Sequence, residues 1–195
     1  MEKKKNCYLL NFPSGPEQFT ALKIGDKVEI NGEIYVARDT AHKRMIETLH
    51  QGKPLPFPLK NALIFYMGPS PSPPGMVIGS CGPTTSSRMD TMTVELLANG
   101  LRATMGKGRR AAAVAQACRK YQAIYLVTYG GCGAFLHRFV TECVLIAYPD
   151  LGPEAVYRLK VRRFPAVVAI DSAGRDFYEE KEKEYNGKGA HSSTG

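Results

Sequence analysis

Apolar residues fall along the chain in short runs separated by glycine and proline, and the spacing inside each run assigns its element. ALKIGDKVEINGEIYVARD alternates apolar and polar positions and is punctuated at Gly25-Asp26 and at Asn31-Gly32. The second dipeptide is the strongest two-residue hairpin signal in the sequence, so the stretch predicts short strands joined by turns. From Asp39 the period changes: Ala41, Met45, Ile46 and Leu49 share a helical face, Asp39 or Thr40 can cap the start, and Gly52 supplies the stop. Two proline-rich stretches, KPLPFPLK and GPSPSPPG, bracket NALIFYM, which predicts a buried strand, and MVIGS predicts another.

Farther along, SRMDTMTVELLANG puts Met89, Met92, Thr93, Leu96 and Leu97 on one buried face of a helix that begins near Ser86 and stops at Gly100. LRATMGKG predicts a short strand with a glycine loop, RRAAAVAQACRKYQ a helix, and AIYLVTYGG a buried strand. GAFLHRFV predicts a short helix; ECVLIAY, EAVYRLKVRRF and AVVAIDSAG predict three more strands. Strands alternating with helices in the middle, with hairpins at the ends, argue for a mixed α/β domain. The two ends lack apolar periodicity, which predicts arms at residues 1–18 and 179–195 around a core at 19–178.

Composition narrows this. A chain of 195 residues, 44% hydrophobic, is long enough for one well-buried core. No run approaches bilayer-spanning length, and the N-terminus lacks both a long apolar stretch and a small-residue cleavage site, so a cytoplasmic protein without a membrane partner is expected. The five cysteines form no CxxC pair and, with the four histidines, never fall at ligand spacing, so reduced thiols and no bound metal are expected on this chain. The net charge of +8 favours anionic partners. Basic residues sit singly or in pairs, without the stripe interleaved with aromatics that nucleic acid binding asks for, and a small di-acid fits at least as well.

GSCGPTTSSRMD gathers the chemistry. Thr84 and Arg88 stand four apart at the mouth of the predicted helix, where hydroxyls, free backbone N–H groups and a guanidinium can receive an oxyanion. Helix capping is the commoner use of such hydroxyls. Arg38 ends a strand, where open α/β sheets place ligands, which makes it the better ligand candidate of its segment, though nothing local prevents a structural pair with Asp39 or Asp90. His42 reads as either a packed histidine or a catalyst. Lys107 is flanked by glycines that permit close approach, with a solvated loop lysine as the alternative. Cys132 and Cys81 read as small buried thiols before nucleophiles. Three cations and hydroxyls on strand-end loops make a set for two carboxylates that lacks a strong base, so half of any catalytic site is expected elsewhere.

In combination, RDTAHKRM, GKPLPFPLKNALIFYMGPSP, PPGMVIGSCGPTTSSRMD, MGKG, YGGCGAFL and FPAVVAIDSAG resemble the β subunit of class I iron–sulfur fumarate hydratases and L(+)-tartrate dehydratases, over residues 22–178. The resemblance implies a swivelling three-layer β/β/α domain with a mixed sheet, closing on a separate α subunit that carries a [4Fe-4S] cluster. It implies a hetero-oligomeric hydro-lyase interconverting fumarate and (S)-malate, or one dehydrating L(+)-tartrate to oxaloacetate. Carried over to matching positions, Arg38, Arg88 and Lys107 become ligands of the dicarboxylate substrate and Thr84 the hydroxyl at the reacting carbon. A non-catalytic anion- or nucleic-acid-binding domain is the alternative of a different class, motivated by the charge.

Overall fold

The computed structural model describes residues 3–4 and 7–189, with side chains described over 7–186. Eight strands among them form one mixed sheet: β1 (Lys3–Lys4), β2 (Cys7–Phe12), β3 (Lys27–Val36), β4 (Leu63–Phe65), β5 (Ala103–Gly106), β6 (Ile124–Val127), β7 (Val140–Ala147) and β8 (Val156–Ile170). Strands β2 to β6 run parallel to their neighbours, whereas β8 is antiparallel to β3, β6 and β7. Because β3 pairs with β8 as well as with β4, the strands β3, β4, β5, β6 and β8 close into a ring.

Alternation along the strands builds two cores on the two faces of this ring. Leu63 and Phe65 of β4, Met105 of β5, Leu126 of β6 and Phe164 of β8 pack together in one. Ile64 and Tyr125 point the other way, against α1 (Asp39–His50), α2 (Asp90–Ala98) and α3 (Ala112–Tyr121), through Met45, Leu96 and Val114. With both faces covered, β4 is buried at every position, which is why its sequence reads as a continuous apolar run. The fold is α/β with a mixed sheet, as the sequence predicts.

Some predicted elements come out differently. Asn31-Gly32 makes no hairpin: β3 runs straight through it, and Gly32 spends its positive φ of 97° where β3 meets an irregularity in β8. There Asn31 Oδ1 accepts the Arg163 N–H at 2.8 Å. The two strands predicted from EAVYRLKVRRF and AVVAIDSAG are one strand, β8, and the extra residue at Arg162-Arg163 shifts its inward parity from Leu159 and Val161 to Phe164 and Ala166. MVIGS forms no strand, and the 68–82 stretch is irregular. The predicted first arm is partly built into the sheet, since β2 pairs in parallel with β3 and buries Leu10 and Phe12.

The predicted last arm also begins as structure: α5 (Phe177–Gly189) is helical, and residues 190–195 lie outside the described residues. Asp176 Oδ1 caps it by accepting the Tyr178 N–H at 2.8 Å and the Glu179 N–H at 3.4 Å. Arg109 Nη1 donates to Glu182 Oε2 at 2.8 Å and fastens the helix to the loop before α3. Asp176→Ala is expected to cost about 1 kcal/mol, read as a melting temperature lower by roughly 2–4 °C. An unchanged melting temperature would show that the cap contributes nothing. Among the described residues no helix is long and apolar enough to cross a membrane.

Candidate functional site

The carboxyl ends of β3, β4 and β5 deliver three segments to one edge of the ring, the place where parallel strands offer ligands to backbone and loop groups. After β3, Arg38 is extended and immediately precedes α1. After β4, the Tyr66 carbonyl accepts the Thr84 N–H at 2.8 Å. After β5, Lys107 bridges Thr85: its N–H donates to the Thr84 carbonyl at 3.2 Å, and its own carbonyl accepts the Ser86 N–H at 3.0 Å. The Lys107 side chain passes over Gly130, beyond the end of β6, where an added Cβ would sit 3.6 Å from Lys107 Cδ.

Side chains complete the set. Arg88 Nη2 donates to Thr84 Oγ1 at 2.5 Å. Arg88 Nε lies 3.4 Å from Asp39 Oδ1, and Arg38 Nε lies 3.6 Å from Asp39 Oδ2. Arg38 Nη2 also faces Glu154 Oε1 at 3.3 Å. Thr84, Arg88 and Arg38 therefore stand in one group linked through side chains, and Lys107 joins it through the backbone bridge to Thr85. The choice left open in the sequence for Arg38 falls to Asp39, while Asp90 pairs instead with the buried Arg110. Glu154 is new: its Oε2 accepts both the N–H and the hydroxyl of Thr40, capping α1 from outside at 3.2 and 2.5 Å. Nothing in the sequence near Thr40 signals a partner 114 residues away.

The mouth of the site differs from its predicted form. α2 starts at Asp90, and residues Ser86–Met89 make a 3-10 turn before it. The N–H groups of Thr84 and Ser86 are engaged by Tyr66 and Lys107, so they do not point outward at a helix N-terminus. What the mouth keeps of the predicted set is the Arg88 guanidinium beside the Thr84 hydroxyl, without outward-pointing N–H groups at a helix start.

Among the described residues, five buried side-chain polar atoms have no hydrogen-bond partner, and three of them are Arg38 Nε, Asp39 Oδ2 and His42 Nε2. Buried polar groups are ordinarily satisfied, so their concentration in one five-residue segment marks it as more than scaffold. His42 Nδ1 lies 3.0 Å from the Arg38 carbonyl, which can only accept; Nδ1 therefore carries the proton and Nε2 is a bare acceptor. The ring meets Tyr66 edge-on at 5.3 Å between centroids. Burial pulls the His42 pKa down from 6.5 to about 4, and His42 is packed and neutral near neutrality.

A pH effect follows. As pH falls from 6.5 toward about 4, the unfolded chain takes up a proton at His42 that the folded chain refuses. Stability conferred by the neutral ring is then lost, by up to roughly 3 kcal/mol. Urea unfolding of the native protein should weaken across that window more than unfolding of His42→Asn. Parallel losses in the two proteins would exclude His42 as the source.

Of the two cysteines weighed as nucleophiles, Cys81 is buried, and burial pushes its thiol up to about 12. Cys132 is exposed rather than buried, at the start of the four-residue helix α4 (Gly133–Leu136).

Residues 2–181 match the family model described as Fumarase C-terminus. The chain belongs to this family. Among its relatives, "Fumarate hydratase 2" of Leishmania major is 39% identical over 165 residues, 83% of this chain and 29% of the relative. The "Putative L(+)-tartrate dehydratase subunit beta" of Methanocaldococcus jannaschii is 40% identical over 168 residues, 83% of this chain and 86% of the relative. The "L(+)-tartrate dehydratase subunit beta" of Escherichia coli strain K12 is 29% identical over 180 residues, 90% and 88% of the two chains. This Fumarase C-terminus chain thus spans about 30% of the fumarate hydratases it matches and most of each tartrate dehydratase β subunit. Both names describe hydro-lyases, so the lyase class is what these relatives share.

Proposed function

We propose that this chain is the β subunit of an iron–sulfur hydro-lyase that reversibly hydrates fumarate to (S)-malate, acting with a separate α subunit. The observation that carries the reading is the Arg88 guanidinium held 2.5 Å from the Thr84 hydroxyl, with Lys107 and Arg38 on adjoining strand ends. Two carboxylates require several cations set apart from each other, and three are provided on three segments. Arg88 presents a planar fork that matches a carboxylate, and Lys107 adds a point charge. Thr84 Oγ1 moves the proton at the reacting carbon. A hydroxyl is a weak base at neutral pH, and the hydrogen bond from Arg88 favours its deprotonated form.

The separate-subunit reading is supported by the two relatives named as β subunits, whose lengths this chain covers at 86% and 88%. On this reading the domain swivels to close its cationic edge over substrate bound to the partner. The [4Fe-4S] cluster belongs to the α subunit, where its chemistry is that of a Lewis acid toward substrate oxygens. Among the described residues of this chain no group of three or more His, Cys, Asp or Glu is placed to hold a metal ion. The five free cysteines suit the reducing cytoplasm in which we place the enzyme.

The second reading, dehydration of L(+)-tartrate to oxaloacetate, is favoured by the match in length to the tartrate dehydratase β subunits. Identities of 39% and 40% to the two kinds of relative do not separate the substrates. The deciding experiment mixes this chain anaerobically with a cluster-loaded α subunit from the same source and assays fumarate and tartrate in parallel. Fumarate turnover by the mixture and by neither component alone supports the reading. Tartrate turnover instead transfers it to the second substrate, and no turnover with the cluster intact ends both.

A further inference from the structure

We infer that Tyr125 is a positioning residue whose hydroxyl latches the segment bearing Thr84 and Arg88 to the loop bearing Lys107. This deepens the functional reading above and rests on it for its catalytic consequence. Tyr125 lies in β6 with its ring fully buried beneath the site, and its hydroxyl lies 2.9 Å from both Ser86 Oγ and the Gly108 carbonyl oxygen. A phenol has one proton to give, and a carbonyl can only accept. The proton therefore goes to Gly108, and the Ser86 hydroxyl donates to the phenol oxygen. The relay runs Ser86 to Tyr125 to Gly108. Ser86 is midway between Thr84 and Arg88, and Gly108 follows Lys107, so one side chain from a third element ties both segments.

The rest of the packing holds this latch in place. The buried Arg110 guanidinium lies over the Tyr125 ring at 4.7 Å and over the Tyr66 ring at 5.3 Å. Its Nε donates to Asp90 Oδ1 at 2.5 Å and its Nη2 to Thr93 Oγ1 at 2.9 Å, so the cation is paired inside the core. Asp90 Oδ2 also accepts the Ala111 N–H at 2.6 Å, joining the starts of α2 and α3. Gly106 leaves the space that Ser86 Oγ fills, because an added Cβ there would come within 2.1 Å of that oxygen. The backbone bridge between Thr85 and Lys107 sets the register of the two segments, and the tyrosine relay fixes them on the side away from solvent.

Tyr125→Phe removes the latch and keeps the ring. Tyr66→Phe is its comparator, because the Tyr66 hydroxyl, 2.8 Å from Thr93 Oγ1, is equally buried in the same network but touches neither segment. Hydrogen exchange in the full chain is measured at the Ser86 and Lys107 amides, relative to amides of β5. Tyr125→Phe is expected to accelerate those two by about tenfold beyond the global change, as a locally opened segment does. If it does so no more than Tyr66→Phe, the latch is overturned.

In the assembled enzyme, Tyr125→Phe and Ser86→Ala should each lower kcat/KM by about 10–100-fold, the scale of a misplaced catalytic group. The double variant should lose no more than the larger single loss, because both cut one relay. Losses that multiply would overturn the assignment. Wild-type enzyme without hydro-lyase turnover would refute the functional reading, and the exchange result would still decide whether the two segments are latched.

Discussion

Replacing Arg88 by alanine is expected to lower kcat/KM of the assembled enzyme by about 10²–10³-fold, the usual loss for one charge-stabilising donor in an active site. The melting temperature of the chain should scarcely move. Arg88 leaves nearly half of its side chain exposed, and its pair with Asp39 is at 3.4 Å. Surface pairs of this kind contribute about 0–1 kcal/mol. Asp39 also keeps Arg38 as a partner when Arg88 is removed. On the proposed function the catalytic loss is large because two functions vanish together, the fork proposed for a substrate carboxylate and the donor to Thr84 Oγ1.

Arg88→Lys separates these two functions. It retains a positive charge and loses the paired, coplanar donors, so turnover should recover only in part. Full recovery would mean that charge alone matters, and that Thr84 is not held by a directed hydrogen bond. Steady-state kinetics and thermal unfolding of the same preparations check the pair of expectations. Alanine turnover within twofold of wild type would remove Arg88 from the site.

Elements whose pattern is local were legible in the sequence. LIF reads as a buried strand because both of its faces are covered, and the stripe of Ala41, Met45 and Leu49 reads as α1. The candidate site residues stand out in the sequence because they sit in punctuated strand-end loops, where Gly, Pro and hydroxyls interrupt the apolar pattern. Their connections were not. Glu154 reaches Thr40 across 114 positions and pairs with Arg38 as well, and such long-range pairs have no signature in spacing. Asn31-Gly32 carried a true signal for positive φ at glycine and a false one for a turn, since a dipeptide does not reveal that β8 passes alongside with an extra residue. For α5 the signal was present in Asp176 and Glu179, a capping pattern, but the charge that follows suggested an arm.

Gly32→Ala is expected to be strongly destabilising, costing at least about 3 kcal/mol through overpacking and backbone strain together. Its φ of 97° is one that a residue with a Cβ seldom adopts. The added Cβ would also fall 2.1 Å from the Phe12 carbonyl oxygen. That oxygen cannot retreat cheaply: Phe12 is in register opposite Gly32 in the parallel pair of β2 and β3, and its side chain is buried in the core. Gly52→Ala separates the two causes, because Gly52 also has positive φ, at 65°, and nothing stands within 4 Å of its Cβ position. It should cost about 1–2 kcal/mol, the steric penalty of the left-handed backbone alone. By thermal unfolding, Gly32→Ala should melt at least about 6 °C lower than wild type, or fail to fold, while Gly52→Ala falls by roughly half as much or less. Equal losses would show that the approach of β2 to β3 contributes nothing. Any activity lost in Gly32→Ala should follow the folded fraction, because Gly32 shapes the strand that leads to Arg38 without touching the site. Arg88→Ala should show the reverse, a folded protein with its turnover gone.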